Sequence, residues 1–285
     1  MLHCQRADPS EKRAFPHQRV SPGNGRGLAW ANEKDQVVPL DAQRGQKASH
    51  NLCKGGGTRT GVRMDRTSGW NQATYQVQVE NKITLEGNLS LPENPRGVVL
   101  FAHGSGSSRH SPRNQFVAQV LHEAGFATLL IDLLTMQEEE LDRYTGRFRF
   151  AIDLLSRRVV GATNWLTTNP TTANLKIGYF GASTGAAAAL VAAAMHPLAV
   201  GAVVSRGGRP DLAGSYLPAV QAPTLLLVGS KDTQVIELNR RAFSLLRYEK
   251  QLEIIPGASH LFEEPGTLEK VAQLASQWFT RYLAA

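Results

Sequence analysis

The stretch GYFGASTGAAAAL, residues 178–190, places Ser183 between Gly181 and Gly185. The apolar run that leads into it from Leu175 predicts a buried strand. The alanine-rich residues 186–195 predict a helix that packs closely through small side chains. Ser183 is therefore expected at a sharp strand-to-helix corner, where the two glycines leave room for the backbones to pass.

The pattern G-x-S-x-G fixes only three positions, so it has a plain competing interpretation. A serine at this point could simply cap the N-terminus of the alanine-rich helix. A nucleophilic serine requires more, because its hydroxyl is a weak nucleophile at neutral pH and needs an adjacent base. It also needs backbone N–H groups aimed at the charge that develops during reaction. The remainder of the chain decides between the two interpretations.

On both sides of this corner, sequence patterns typical of strands alternate with patterns typical of helices. Residues 73–92 alternate apolar and polar side chains around a turn at Glu80-Asn81, which predicts an antiparallel hairpin. Apolar runs predict strands within 96–103, 126–132, 175–183, 198–208, 222–232 and 250–260. Helical spacing predicts helices within 113–125, 151–169, 186–195, 235–247 and 267–283, and a loop with part of a helix within 133–150. This order predicts an α/β fold, a mostly parallel sheet with helices on both faces, whose ligand site lies beyond the carboxyl ends of the strands.

Candidate partners for Ser183 follow strands at that edge of the sheet. His260, directly after the last strand, is the best base by position, whereas His103 is expected to hold the glycine-rich loop in which it lies. Asp232 ends the strand LLLVGSKD and could orient the imidazole, although an aspartate there could also cap the following helix. Asp211 is the second candidate acid. Asp132 is a third and weaker candidate, because it precedes the serine in the chain.

The loop HGSGSSRH, residues 103–110, follows the strand at 96–103 and supplies candidate oxyanion donors. We expect one backbone N–H from Thr184, the residue after the nucleophile, and the other from Ser105, with Gly106 as the second candidate. Arg109 stands where a dinucleotide-binding G-x-G-x-x-G motif needs its last glycine, which disfavours a cofactor site. Arg109, Arg206 and Arg209 lie near strand ends and could pair with a substrate carboxylate, but surface ion pairs are the more common role.

The net charge of +7 comes almost wholly from the N-terminal part of the chain. Residues 1–63 contain 11 Lys and Arg against 5 Asp and Glu, without clustering and with few aromatic residues, so we expect no nucleic-acid binding. Residues 1–70 lack a strand or helix period and are expected to be a disordered basic segment before a catalytic domain at 71–285. Alternatively, Met64 is the natural start, and what precedes it is upstream or non-native sequence.

The composition also limits the class of protein. Both cysteines, Cys4 and Cys53, lie in the N-terminal segment, so no disulfide framework and no cysteine nucleophile is expected in the folded part. The His and Cys spacings match no zinc pattern. No run of 18 apolar residues occurs and the N-terminus lacks the apolar centre of a signal peptide, so we expect a cytoplasmic protein without membrane contact.

Taken together, FAHGSGSSRHSPRN, GYFGASTGAA, LLLVGSKD and IIPGASHLF resemble the dienelactone-hydrolase-like branch of the α/β-hydrolase superfamily. The resemblance covers about 72–285 and implies the α/β-hydrolase fold, with no large cap domain, no metal and no cofactor. It implies hydrolysis of a small ester or lactone through an acyl-enzyme, with Ser183, His260 and Asp232 as the catalytic triad. Dienelactone hydrolases proper use cysteine at the elbow, so Ser183 favours a serine esterase.

The sequence thus favours a serine hydrolase of short-chain carboxylic esters. A lactone hydrolase and a thioesterase remain open as alternatives on the same site. A non-catalytic binding module on the same fold remains open as well.

Overall fold

The computed structural model describes residues 59–65 and 70–284, and these build one nine-stranded sheet with helices on both faces. The strands are β1 Arg59–Asp65, β2 Trp70–Glu80, β3 Ile83–Leu91, β4 Val98–Ala102, β5 Ala127–Ile131, β6 Ile177–Ala182, β7 Val200–Arg206, β8 Thr224–Gly229 and β9 Lys250–Ile255. The helices are α1 Pro112–Glu123, α2 Met136–Thr145, α3 Ile152–Thr168, α4 Thr184–Met195, α5 Thr233–Leu245 and α6 Thr267–Leu283. The predicted α/β class, the N-terminal antiparallel hairpin and the order of elements are confirmed.

The strands follow the order β1-β2-β3-β5-β4-β6-β7-β8-β9. Strands β4 to β9 run parallel to their neighbours, whereas β1, β2 and β3 form an antiparallel extension that joins the sheet through β5. The chain order reverses at β4, whose neighbours are β5 on one side and β6 on the other. Such a reversal opens a crevice beyond the strand ends, and the loops after β4 and β6 border it.

Two apolar layers cover the sheet. One contains α3, α4 and the inner side of α5, and the other contains α1 and α6. The central strands β4, β5, β6 and β8 are buried along their whole length, as expected of parallel strands covered on both faces. Helix α4 is buried from Thr184 to Ala193, which explains its alanine-rich sequence, since only small side chains fit so close to the sheet.

The N-terminal boundary differs from the sequence-based prediction. Residues 59–65 were expected within the disordered segment, but β1 pairs antiparallel with β2, from Arg59 opposite Tyr75 to Asp65 opposite Trp70. The sequence RTGVRMD has no regular apolar alternation, so its pairing depends on backbone hydrogen bonds to β2. The expectation of disorder for residues 1–58 and 66–69 falls outside the described residues.

Between β7 and β8 the chain forms two short 3₁₀ turns within Pro210–Ala219, separated by a kink at Gly214, which has φ 50° and ψ −122°. This connection is too short to contain a large cap domain. Within the described residues, no helix combines the length and the apolar character that crossing a membrane requires.

Candidate active site

Ser183 lies between the last residue of β6 and the first residue of α4, with φ 50° and ψ −122°. A positive φ is uncommon outside glycine and stores backbone strain at such corners. The surrounding backbone fixes this conformation, because the Ser183 N–H donates to the Arg206 carbonyl at 3.3 Å and the Ser183 carbonyl accepts from the Arg209 N–H at 3.0 Å. Ser183 occupies the cap position of α4, yet its side chain makes no capping hydrogen bond. The capping interpretation of this serine is therefore wrong.

The two glycines of the motif are required by close backbone contacts. A Cβ on Gly181 would lie 2.4 Å from the Ala186 Cα, and a Cβ on Gly185 would lie 2.2 Å from the Ala102 carbonyl oxygen. Both distances are far below a carbon–carbon or carbon–oxygen contact. The pattern G-x-S-x-G thus lets α4 start directly against β4 and β6.

Asp232 and His260 meet beyond the ends of β8 and β9. The Asp232 Oδ2 lies 2.6 Å from the His260 Nδ1, and no side-chain capping bond ties Asp232 to α5. An ionised carboxylate can only accept, so Nδ1 carries the proton and donates, and Nε2 is left as the basic nitrogen. Asp232 thus orients the imidazole of His260 and does not cap the helix that follows it.

The segment after β7 joins this pair to the elbow. Arg206 and Arg209 hold the backbone of Ser183, and Gly207 lies between them. A Cβ on Gly207 would lie 3.0 Å from the His260 carbonyl oxygen and 3.6 Å from its Nδ1, so the His260 loop packs directly on this segment. The two loops that carry Ser183 and His260 are therefore held against one short piece of backbone.

The His260 loop has an internal brace that the sequence analysis did not identify. The Glu264 carboxylate accepts from the Ser259 N–H at 3.0 Å and from the Lys231 Nζ at 3.2 Å. The hydrogen bond from the Ser259 backbone, with a smaller contribution from Lys231, lowers the pKa of Glu264 to about 2. No local sequence signal marks a carboxylate that folds back onto the residue before His260.

The other candidate acids have different partners. Asp211 accepts two hydrogen bonds from the Arg209 guanidinium, both at 2.8 Å, and this interaction raises the pKa of Arg209. Asp132 pairs with Arg109, which also contacts Glu86. Neither aspartate is bonded to His260, so among the three candidates Asp232 alone is placed to serve it.

Of the three arginines near strand ends, Arg206 has no carboxylate partner among the described residues. Its guanidinium donates to the Asn114 side-chain oxygen at 3.2 Å, and the side chain is buried. Burial, with repulsion from Arg113, lowers the pKa of Arg206 to about 10. The side chain therefore lies against the N-terminal turn of α1, while its carbonyl holds Ser183.

The glycine-rich loop after β4 packs against the elbow. A Cβ on Gly104 would lie 2.9 Å from the Ser183 Cβ, and Gly106 turns the chain with φ 65°. Thr184 is the first residue of α4, so its N–H has no partner within the helix and lies at the positive end of the helix dipole. The Ser105 N–H, the other expected donor, points at the Thr184 side chain, with its nitrogen 3.1 Å from Oγ1.

His103 holds this loop, as its place in the sequence predicts. Its Nδ1–H donates to the Gly104 carbonyl at 2.9 Å, and its Nε2 accepts from the Leu133 N–H at 3.0 Å. Burial lowers the pKa of His103, which keeps the ring neutral and preserves both hydrogen bonds. His103 therefore ties the glycine-rich loop to the end of β5.

A cavity of about 420 Å³ opens beside Ser105 and Thr184. Helix α2 and its flanking residues form one wall, and residues 133–149 are called the lid segment here. The Asp142 carboxylate closes this segment by accepting from the Phe148 N–H at 2.5 Å and from the Arg149 Nε at 2.7 Å, and these bonds lower its pKa against the opposing effect of burial. The lining combines leucines with paired charges: Leu133, Leu134 and Leu155 with Asp132, Glu139, Asp142, Arg143 and Arg149.

Among residues 59–65 and 70–284, no group of three or more His, Cys, Asp or Glu side chains is arranged to hold a metal ion. The residues brought to this edge of the sheet, a serine at a strained corner and a histidine bonded to an aspartate, are of the types that nucleophilic catalysis by serine uses.

Comparison with known proteins places most of the described fold in one family. The model of the dienelactone hydrolase family matches residues 85–284. The crystal structure of a dienelactone hydrolase from Anabaena variabilis is 62% identical, with a TM-score of 0.72, and the match covers 74% of this chain and 99% of that one. An esterase domain from a Rhodothermus marinus protein is 21% identical with a TM-score of 0.58, covering 75% and 99% of the two chains, and shares the fold.

A longer relative comes from Mycobacterium tuberculosis and carries the name "Putative phosphoribosyl transferase". It is 60% identical over 209 residues, which are 73% of this chain and 46% of the relative. The chain thus spans about half the length of the curated relatives it matches.

Proposed function

The chain belongs to the dienelactone hydrolase family, and from that premise we propose that it is a serine hydrolase that cleaves short-chain carboxylic esters. The observation that carries the proposal is the 2.6 Å hydrogen bond between Asp232 and His260. The His260 loop packs on residues 206–209, the segment that also holds the backbone of the strained Ser183. Burial of Asp232 strengthens this bond, since its side chain is only 16% exposed.

The proposed reaction runs through an acyl-enzyme. The Ser183 Oγ attacks the ester carbonyl carbon, and its proton passes to the His260 Nε2. The imidazolium is stabilised by Asp232 and then protonates the leaving alcohol. Water, activated by the same nitrogen, attacks the acyl group on Ser183 and releases the acid. The Thr184 N–H at the start of α4 stabilises the oxyanion in both steps.

The cavity supports a short and polar acyl group. Its volume of about 420 Å³ suits a small molecule. Three leucines provide apolar contact, but paired charges such as Asp142–Arg149 make up much of the wall. A long alkyl chain would have to desolvate these groups without replacing their hydrogen bonds. We therefore propose a soluble small-molecule ester as the substrate, without nucleic-acid or membrane partners, and a cytoplasmic location.

The test is hydrolysis of p-nitrophenyl esters of increasing acyl length by the wild type, Ser183→Ala and His260→Ala. Ser244→Ala is the matched control, because the Ser244 hydroxyl only bonds the Arg241 carbonyl on the exposed side of α5. We expect turnover of acetate and butyrate esters by the wild type and the control, and a loss of at least about 1,000-fold in the two active-site variants. Equal hydrolysis by Ser183→Ala would refute the proposal.

Adding a lactone and an acyl thioester to the substrates separates the alternatives. A lactone hydrolase or thioesterase would depend equally on Ser183 but would prefer a lactone or an acyl thioester over the aryl ester. A non-catalytic binding module would turn over none of them. The strained Ser183 and the Asp232–His260 hydrogen bond support hydrolysis rather than the phosphoribosyl transfer named for the mycobacterial relatives, of which this chain matches less than half.

A further inference from the structure

A chain of hydrogen bonds runs from the elbow through the glycine-rich loop to the lid segment. The Ser105 N–H lies 3.1 Å from the Thr184 Oγ1, and the Ser105 Oγ lies 3.0 Å from the same atom. The Ser105 Oγ also lies 3.3 Å from the Arg149 carbonyl oxygen. Thr184 is only 3% exposed, so its hydroxyl can contact only these partners and the cavity beside Ser105, which Thr184 lines.

The donor and the acceptor of each hydrogen bond in this series follow from the chemistry of the groups. The Arg149 carbonyl can only accept, so the Ser105 hydroxyl donates to it. The bond between the two hydroxyls must then use the proton of Thr184. Thr184 Oγ1 therefore accepts from the Ser105 N–H and donates to the Ser105 Oγ. Thr184 also lines the cavity, so rotation about its Cβ–Oγ1 bond can turn this O–H toward the cavity.

This geometry bears on the oxyanion hole. The Ser105 N–H was expected to donate directly to the oxyanion, but it donates to Thr184 Oγ1 instead. We propose, on the basis of the serine hydrolase function proposed above, that Thr184 is a further catalytic residue. Its hydroxyl, backed by the Ser105 N–H, donates the second hydrogen bond to the oxyanion, and its own N–H donates the first.

The step needs no proton transfer through Thr184. The Ser183 Oγ forms a bond to the carbonyl carbon, the π electrons move onto the carbonyl oxygen, and the Ser183 proton goes to the His260 Nε2. The Thr184 O–H turns from the Ser105 Oγ to the new oxyanion. The Ser105 N–H keeps its bond to Thr184 Oγ1 and polarises that hydroxyl, since hydrogen bonds in series strengthen one another. Ser105 is thus a positioning residue.

The two models of the hole predict opposite effects of Thr184→Val. If the Ser105 N–H is the direct donor, removing the hydroxyl uncovers it, and the rate stays equal or rises. If the Thr184 hydroxyl is the donor, the rate falls by about 100-fold, the loss typical of one side-chain oxyanion donor. Thr184→Ala gives a second variant without the hydroxyl, and Thr184→Ser restores the hydroxyl without the methyl group.

The experiment measures the rate of phosphonylation by an alkyl fluorophosphonate, whose phosphoryl oxygen occupies the oxyanion hole whatever the natural acyl group is. Thr128→Val is the matched control, because Thr128 is fully buried and its hydroxyl bonds His122 near the start of β5, at the other edge of the sheet. Thermal unfolding checks that each variant is folded.

We expect the wild type, Thr184→Ser and Thr128→Val to react within a few-fold of one another, and Thr184→Val and Thr184→Ala to react about 100-fold more slowly. An unchanged or faster Thr184→Val overturns the role of Thr184 and leaves the hydrolase function standing. A loss that Thr184→Ser does not restore also overturns it, because packing and not the hydroxyl would be responsible. A wild type as unreactive as Ser183→Ala refutes the proposed function, and this inference with it.

Discussion

Substitution of Gly185 by alanine tests whether the contact between α4 and β4 sets the geometry of the reaction. The new Cβ would lie 2.2 Å from the Ala102 carbonyl oxygen and 2.4 Å from that of His103. An ordinary carbon–oxygen contact is about 3.3 Å, so α4 or the loop after β4 must move by about 1 Å. Both carry groups of the candidate site, Ser183 and Thr184 on one side and Ser105 on the other.

Gly185→Ala is expected to lower both the free energy of unfolding and kcat. Overpacking of this kind costs about 1–3 kcal/mol in free energy of unfolding, and the better helix propensity of alanine offsets about 1 kcal/mol of it. A displacement of about 1 Å between reacting groups lowers the rate by about 100-fold. We therefore expect Gly185→Ala to be folded, moderately destabilised and about 100-fold slower in kcat.

Gly161→Ala is the matched control. Gly161 also lies in a helix, and its Cβ would lie 2.1 Å from the Val79 carbonyl oxygen, but this contact joins α3 to β2 away from Ser183. It should lose comparable stability and keep the wild-type kcat per folded molecule. Thermal unfolding and hydrolysis of a p-nitrophenyl ester measure the two effects. Equal kcat in the two variants would show that the clash at Gly185 does not reach the reacting groups, and the reasoning would be wrong.

Three further predictions concern strain and pH. Ser183→Gly and Ser183→Ala should both lose turnover, but only glycine relieves the positive φ. The free energy of unfolding of Ser183→Gly should therefore exceed that of Ser183→Ala by about 1 kcal/mol, and equal values would argue against strain at the elbow. Burial lowers the pKa of His122 from 6.5 to about 4, so the unfolded chain binds the extra proton and the free energy of unfolding should fall by up to about 3 kcal/mol as pH drops from 6.5 to 4. Urea unfolding of His122→Gln should lack that slope. The depressed pKa of Glu264 contributes stability above pH 4.5 that is lost as pH falls toward 2, and Glu264→Gln should flatten the unfolding curve in that window.

The sequence carries most of the fold because the decisive elements are locally marked. Continuous apolar runs identify β4, β6 and β8. These strands are buried on both faces, so their sequences lack the apolar–polar alternation of a strand with one face in water. Chain order disfavours Asp132, which precedes the serine, and leaves Asp232 and Asp211 as candidate acids. The place of Asp232 at the end of a strand favours it, with Asp211 as the second candidate. The short hydrogen bond to His260 agrees with that selection.

What the sequence does not carry depends on contacts between distant parts of the chain. Strand β1 exists through its pairing with β2, and its own residues show no strand pattern. The partner of the Ser105 N–H is a side chain 79 positions away, fixed by where α4 begins. The brace from Glu264 likewise depends on the tertiary path of a loop. Propensity and spacing describe none of these contacts.

Both ends of the lid segment are hydrogen-bonded to the glycine-rich loop, and in each case the lid segment contributes a main-chain group. The Leu133 N–H donates to His103, and the Arg149 carbonyl accepts from Ser105. Because a main-chain group is present whatever the side chain, the residues between these two anchors can be exchanged without losing either attachment, except Asp142, whose carboxylate holds Phe148 and Arg149. Relatives can therefore change their substrate by substitutions within the lid segment alone. A designer can likewise replace the lid segment between Leu133 and Arg149 and keep both attachments.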